Sequence, residues 1–138
     1  MTPTPAAEAV QYASDVTLAD VDAMWAFLEK RTSDLSLRHD SDPAERRIAQ
    51  ALNTAVFDHF YAAQKIFDVD DGSAEMLGAR QQRWNELCRI LAPWRDTEGY
   101  DTARWRQVRH CDERQASEMA AYEAKRKAEM AAYYRERL

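Results

Sequence analysis

Apolar residues recur at spacings of three and four from Thr17 onward, which is the pattern of an amphipathic helix. The Thr17 hydroxyl can cap this first helix, which is predicted to end between Arg31 and Arg38. Four positions form its predicted core face and two more lie at the edges of that face: Leu18, Val21, Trp25 and Leu28, then Met24 and Phe27. Residues 1–16 show no such pattern and are predicted to form a flexible tail.

The second helix has the clearest start in the chain. Asp42 is its predicted N-cap, with Pro43 in the first helical position and Glu45 near the positive end of the helix dipole. A broad apolar stripe follows at spacings of three and four: Ile48, Leu52, Ala55, Val56, His59, Phe60, Ala63, Ile66 and Phe67. Such a width is typical of the central helix of a bundle. This helix is predicted to end in the acidic turn of residues 68–72.

A third helix is predicted between Ser73, a good capping residue, and Pro93, which cannot continue a helix. Its apolar face consists of Leu77, Trp84, Leu87, Cys88 and Leu91. Residues 93–101 are predicted to form a loop. A fourth helix is predicted to begin near Asp101 or Thr102 and to continue to the last residue, because no helix breaker follows.

The last predicted helix contains a repeat, since Glu-Met-Ala-Ala-Tyr at residues 118–122 recurs at residues 129–133. The period of eleven residues is about three turns of an α-helix, so the repeated side chains share one face. Val108 lies eleven residues before Met119, so it would share the same face of the predicted helix. This stripe is the predicted protein interface: Val108, Met119, Tyr122, Met130 and Tyr133.

The predicted length of this helix, about 50 Å, is large for the domain. A compact domain of this size has a radius of gyration of about 14 Å, so the outer part of the helix is predicted to project. We therefore predict an all-α fold, a small bundle of about four helices with a long C-terminal helix extending beyond the core. Its parts are a tail (1–16), a helical domain (17–115) and the projecting helix end (116–138).

The composition agrees with that fold class. Apolar residues make up 46% of the chain and charged residues 31%, as in ordinary globular proteins. No apolar stretch of about 18 residues could cross a bilayer, and the N-terminus lacks the layout of a signal peptide. A cytoplasmic protein without a membrane partner is therefore expected. Cys88 and Cys111 are too few for a disulfide framework and are expected to be reduced thiols.

The net charge of −5 is unevenly distributed. Residues 1–79 contain 14 acidic and 6 basic residues, whereas residues 80–110 contain 4 acidic residues and 7 arginines. Six of these arginines are candidate nucleic-acid contacts: Arg80, Arg83, Arg95, Arg104, Arg106 and Arg109. Aromatic residues lie among them, and arginines with stacking rings are typical of single-stranded nucleic-acid binding. The alternative is that Trp84 and Trp105 belong to the core, because both occupy apolar-face positions.

No catalytic residue, metal site or cofactor is predicted. The soft metal ligands show none of the spacings of known zinc sites; they are His39, His59, Cys88, His110 and Cys111. The acidic turn at 68–75 lacks the ligand positions of a calcium-binding loop. His59 is interpreted as a hydrogen-bonded core histidine and Cys88 as a small core residue. The alternative interpretation is a helical enzyme. A deep polar pocket that contains His59 or His110 would favour it.

Three phrases of the sequence resemble a family of small uncharacterised helical proteins from actinobacteria and their phages. They are Asp22…Phe27-Leu28…Arg31, then His39…Asp42-Pro43-Ala44…Arg46-Arg47, and finally Leu91-Ala-Pro-Trp-Arg-Asp…Tyr100-Asp…Trp105. Members of that family usually carry His-Pro where this chain has Thr97-Glu98-Gly99. The resemblance covers residues 18–106 and implies no activity, since the family has no established function. The use of 15 arginines against 4 lysines also suits a high-GC genome.

The expected function is that of a non-enzymatic helical module that binds another protein, or a second copy of itself, through its last helix. An accessory role in a phage or bacterium fits the composition. The alternative is a nucleic-acid-associated regulator that uses the arginine- and tryptophan-rich segment 80–109.

Overall fold

The computed structural model describes residues 8–37, 42–69 and 72–138. Four α-helices lie within them: α1 (Leu18–Leu37), α2 (Pro43–Asp68), α3 (Ala74–Leu91) and α4 (Glu113–Glu136). Two single turns of 3₁₀ helix, Ala13–Asp15 and Ala92–Trp94, accompany them. The described residues contain no strand, and the predicted all-α class with a long C-terminal helix is confirmed. Several predicted features lie outside the described residues, namely residues 1–7, Arg38, His39 and the Asp70–Asp71 pair.

The predicted helix starts are observed as hydrogen-bonded caps. The Asp42 carboxylate accepts the Ala44 backbone N–H at 3.0 Å, and the Ser73 hydroxyl accepts the Met76 N–H at 3.2 Å. At the start of α1, the Thr17 hydroxyl accepts the Asp20 N–H at 3.3 Å while the Asp20 carboxylate accepts the Thr17 N–H at 2.8 Å. These side chains satisfy backbone donors that have no partner inside a helix.

The core is formed by α1, α2 and α3, since α1 packs on α2 and α3, and α2 packs on α3. On α1 the buried face is rotated relative to the prediction: Met24 and Phe27 are buried, whereas Trp25 is only half-buried. The reason is a second neighbour, because the Phe27 ring also packs edge-on against Tyr100 and Trp105. On α3 the predicted face is buried at Trp84, Leu87, Cys88 and Leu91.

The apolar stripe of α2 is narrower than predicted. Its buried residues are Ala49, Val56, Phe60, Ala63 and Phe67. Ile48 and Leu52 are 68% and 44% exposed, respectively, because α1 and α3 cover the helix only on the side of Phe60. The prediction that the whole stripe is buried in the centre of a bundle is therefore wrong for the first turns of α2.

The fourth helix begins later than predicted. Residues 92–112 form an irregular segment, here called the strap, and α4 starts only at Glu113. The helix is 24 residues long, or about 36 Å, rather than about 50 Å. The strap cannot be helical because Trp105, Val108 and Cys111 are buried under α3 and α1 and its backbone is hydrogen-bonded to α3 side chains.

The segment before α1 is packed rather than flexible. Val10, Ala13 and Val16 are buried in the core. The backbone N–H groups of Ala13 and Ser14 donate to the carbonyls of His110 and Cys111 at 3.2 and 2.9 Å. The predicted flexible tail is thus wrong for residues 8–16, because apolar side chains at every third position of that segment are buried in the core.

Candidate interaction surface

The helix α4 stands apart from the bundle. It packs against none of the other described helices, and no residue within it is buried. Every residue from Ser117 to Leu138 is exposed. An isolated helix gains nothing from tertiary packing, so its apolar side chains are left in water.

Four of the five residues of the predicted interface lie on this exposed helix. The exposed fractions are 42% for Met119, 60% for Tyr122, 45% for Met130 and 46% for Tyr133. The fifth, Val108, lies in the strap, is buried in the core, and cannot belong to the same surface. The eleven-residue repeat does not extend back to Val108 because α4 begins only at Glu113. We call the four remaining residues the Met/Tyr stripe.

The start of α4 is firmly attached to the domain. The Asp112 carboxylate accepts the Gln115 N–H at 2.8 Å, and the Gln115 side-chain oxygen accepts the Cys111 N–H at 2.6 Å. The Cys111 thiol in turn lies 3.2 Å from the Gln81 side-chain oxygen on α3. These hydrogen bonds connect the first turn of α4 to the end of the strap and to α3. They define the direction in which α4 leaves the bundle.

The strap itself is held by polar side chains of α3. The indole N–H of Trp84 donates to the Arg106 carbonyl at 2.7 Å. The Asn85 amide accepts the Val108 N–H at 2.7 Å and donates to the Val108 carbonyl at 2.9 Å. Sequence reasoning missed Asn85, whose only signal was its position next to Trp84, at the edge of the apolar face of α3.

One candidate nucleic-acid residue, Arg104, is a structural ion pair. Its guanidinium donates to both carboxylate oxygens of Asp20 at 2.7 Å and to the carbonyls of Glu8 and Asp15 at 2.9 and 2.8 Å. Burial by itself would raise the pKa of Asp20. The hydrogen bonds from Arg104 and Thr17 outweigh burial, so the pKa of Asp20 is lowered from its ordinary value. Arg104 therefore ties α1, the strap and the N-terminal segment together.

Three further candidate arginines contact groups of the protein. Arg80 donates to the carbonyl of Val69, Arg83 lies 3.6 Å from the Glu86 carboxylate, and Arg109 lies 3.5 Å from the Glu123 carboxylate. The structure leaves Arg95 and Arg106 exposed. The rings of Trp84 and Trp105 are buried and are not free to stack on a base, while Trp94 and Tyr100 of the same segment are half-buried against the core.

The remaining candidate residues do not assemble into a catalytic or metal site. His59 Nδ1 donates to the Glu86 carboxylate at 2.7 Å, but its side chain is 41% exposed, so it is not the core histidine that was predicted. His110 is half-buried, and its carbonyl accepts a backbone N–H of the N-terminal segment. Within residues 8–37, 42–69 and 72–138, no group of three potential ligands could hold a metal ion.

Both cysteines are free and buried. Burial raises the pKa of the Cys88 thiol to about 12, since the charged thiolate is unfavourable inside the core. Burial, together with the neighbouring Asp112 carboxylate, also raises the pKa of Cys111. Neither thiol has the lowered pKa of a reactive cysteine.

Comparisons with known protein families, with curated proteins and with solved structures gave no match. The resemblance to the actinobacterial and phage family therefore stays a prediction from the sequence. Among the described residues, no helix combines the length and the apolar character needed to span a membrane.

Proposed function

We propose that this protein is a non-enzymatic interaction module that binds another protein through the Met/Tyr stripe of α4. The observation that carries the proposal is the complete exposure of α4 from Ser117 to Leu138 while large apolar side chains share one of its faces. A helix of this kind is a natural ligand for a second helix or a groove, which would cover its apolar face.

Energetics support this assignment. Helices of about 15 residues or fewer are marginal in water, and longer ones still depend on packing for most of their stability. Transfer of a Met or Tyr side chain from water into an interface contributes about 1–2 kcal/mol for the area that each still exposes. A partner that covers the four stripe residues would thus stabilise both the complex and the helix.

The two alternatives have less support. Nucleic-acid binding would rest on Arg95 and Arg106, because the other candidate arginines contact acidic residues or carbonyls of the protein itself. An enzyme would need a site around His59 or His110. His59 pairs with the Glu86 carboxylate, and the backbone carbonyl of His110 accepts the Ala13 N–H. A cytoplasmic location and a bacterial or phage origin remain parts of the proposal.

The test uses two full-length variants with matched numbers of substitutions. In the stripe variant, Met119, Tyr122, Met130 and Tyr133 are each changed to Gln. In the control variant, four alanines of the opposite face are changed to Gln: Ala121, Ala124, Ala128 and Ala132. Both sets keep residues with good helix propensity.

At a concentration at which the wild type is monomeric, we expect the stripe variant to keep its Tm within about 3 °C of the wild type, since the stripe contributes no core packing. We expect it to lose every specific protein contact that the wild type and the control variant share, measured by co-purification from the native host and by sedimentation. A large fall in Tm for the stripe variant would show that the stripe is core. Equal binding by stripe and control variants would also refute the proposal.

A further inference from the structure

The charges of α4 change sign along its length. Residues 112–123 contain four carboxylates and one arginine, whereas residues 124–138 contain five basic and two acidic residues. This polarity matches the helix dipole, with acidic groups near the N-terminus and basic groups near the C-terminus. It also makes each helix electrostatically complementary to a second copy that runs in the opposite direction.

Helix overlap and charge together select one register for such a pair. When Met119 of one copy lies opposite Met130 of the other, residue 113 of one copy is level with residue 136 of the other, so the two 24-residue helices overlap from end to end. In helical projection Glu113 and Glu136 lie about 140° and 80° from the centre of the stripe, away from the interface. A register shifted by three residues would pair Met119 with Tyr133 and Tyr122 with Met130, but it would place Arg126 against Arg126 and Glu123 against Glu129. The charges therefore favour the register in which the methionines meet.

The same register pairs a charged residue on the stripe with one at its edge. Arg126 lies at the centre of the stripe, about 40° from both Tyr122 and Met130 in helical projection, and Glu123 lies at its edge. With Met119 opposite Met130, each Glu123 faces Arg126 of the other copy, and the two-fold axis repeats the contact. Glu123 is now 3.5 Å from Arg109, but both side chains are more than half exposed, so this ion pair is weak and replaceable.

A parallel pair lacks these contacts. It would place Glu123 beside Glu123 and Arg126 beside Arg126, so like charges would meet at the interface. It would also bring together the two N-terminal halves, each with 14 acidic and 6 basic residues in residues 1–79. The antiparallel pair instead separates the two domains by roughly the helix length of about 36 Å.

We propose that the partner of α4 is α4 of a second copy of this chain, packed antiparallel with Met119 opposite Met130 and Glu123 opposite Arg126. This inference rests on the proposed function and specifies its partner. The product is an extended dimer in which two acidic domains stand at opposite ends of a two-helix rod.

The first experiment is sedimentation velocity on the full-length wild type from about 1 to 100 µM. We expect a monomer–dimer equilibrium that weakens by at least tenfold when the salt concentration rises from about 0.05 to 0.5 M, because salt screens the paired charges. A wild type that stays monomeric at about 100 µM in low salt would overturn the inference.

Charge exchange tests the pairing. Each single variant, Glu123→Arg or Arg126→Glu, replaces both symmetry-related attractive contacts of the dimer with like-charge contacts. Each should therefore weaken the dimer at least tenfold. The double variant E123R/R126E recreates both attractive contacts and should dimerise within about threefold of the wild type. In a parallel dimer each single variant would exchange one like-charge contact for another and leave the dimer about as strong as the wild type. Single variants that do not weaken the dimer, or failure of the double variant to restore it, would therefore overturn the proposed orientation.

Disulfide crosslinking tests the register. A bond between two cysteines needs Cα atoms about 4.4–6.8 Å apart. A Met119→Cys chain should therefore crosslink to a Met130→Cys chain in a mixture, while neither forms a crosslinked dimer by itself. Cys88 and Cys111 are buried and supply little background. Crosslinking of Met119→Cys to itself would overturn the antiparallel arrangement.

The failures of the two proposals are distinguishable. A monomeric wild type whose stripe variant keeps its Tm refutes only the second copy as partner, and the stripe stays a surface for another protein. A stripe variant that melts at a much lower temperature refutes the proposed function and this inference together.

Discussion

The side chain of Asn85 pairs with the backbone of Val108 through two hydrogen bonds of 2.7 and 2.9 Å. The side-chain amide oxygen of Asn85 accepts the Val108 N–H, and the side-chain amide nitrogen donates to the Val108 carbonyl. The backbone of a neighbouring β-strand would make the same two hydrogen bonds. This contact, together with that of Trp84 to Arg106, holds residues 106–108 of the strap against α3. The strap in turn sets the point from which α4 departs.

Replacement of Asn85 by Ala should be strongly destabilising, because it leaves both backbone groups of the buried Val108 without their partners. We expect a loss of about 2–4 kcal/mol in the free energy of unfolding, measured by urea denaturation. Gln82→Ala changes an exposed residue on the same helix and should alter stability by less than about 0.5 kcal/mol. Equal stability of the two variants would mean that the strap does not depend on Asn85.

The Asp20–Arg104 ion pair should make stability depend on pH in the acid range. The pKa of Asp20 is lowered in the folded protein, so its contribution is complete above the unfolded pKa of about 3.9 and is lost as the pH falls through the folded pKa. Asp20→Asn should cost about 2–4 kcal/mol at pH 7 because Arg104 is then left without its carboxylate.

The measurement is the free energy of unfolding from pH 7 to pH 3 for the wild type, Asp20→Asn and a control, Asp58→Asn, at an exposed site. The difference between wild type and Asp20→Asn should shrink as the solution becomes more acidic, while the control should follow the wild type. A difference that stays constant down to pH 3 would show that ionisation of Asp20 does not contribute.

The thiol of Cys88 should resist modification in the folded protein. It is 3% exposed and burial raises its pKa to about 12, so both access and thiolate formation are suppressed. Labelling with a thiol-specific reagent at about pH 8 should be at least ~100-fold slower than in the denatured chain. Mass spectrometry identifies the modified residue, and rapid labelling of native Cys88 would contradict its place in the core.

Backbone amides of α4 should exchange with solvent faster than those of α3. Exchange in an unpacked helix needs only local opening, whereas the amides around Trp84 and Leu87 need the bundle to open. Hydrogen exchange of dilute protein, read by mass spectrometry, should show residues 117–136 exchanging at least ~10-fold faster than residues 84–91. Equal protection of both segments in dilute monomer would mean that α4 is packed.

The sequence by itself determined those features that depend on neighbours within a few residues. The capping residues Asp42 and Ser73 and the eleven-residue repeat of α4 act over one to three helical turns, and the structure has the caps where they were predicted. The helical class followed for the same reason. The exposure of the Met/Tyr stripe was also expected, but from a helix length that proved too great; in the structure it follows from α4 packing against none of the other described helices.

Only the tertiary structure decided the features that depend on residues far apart in the chain. Residues 102–111 have no helix breaker, yet they are not helical, because Trp84 and Asn85, more than twenty residues earlier, bind their backbone groups. Arg104 resembled a free cation in sequence, but Asp20, 84 residues away, neutralises it in the fold. Hydrogen bonds between distant segments and the burial of their side chains outweigh local helix propensity. No local sequence pattern indicates which distant segments will be in contact.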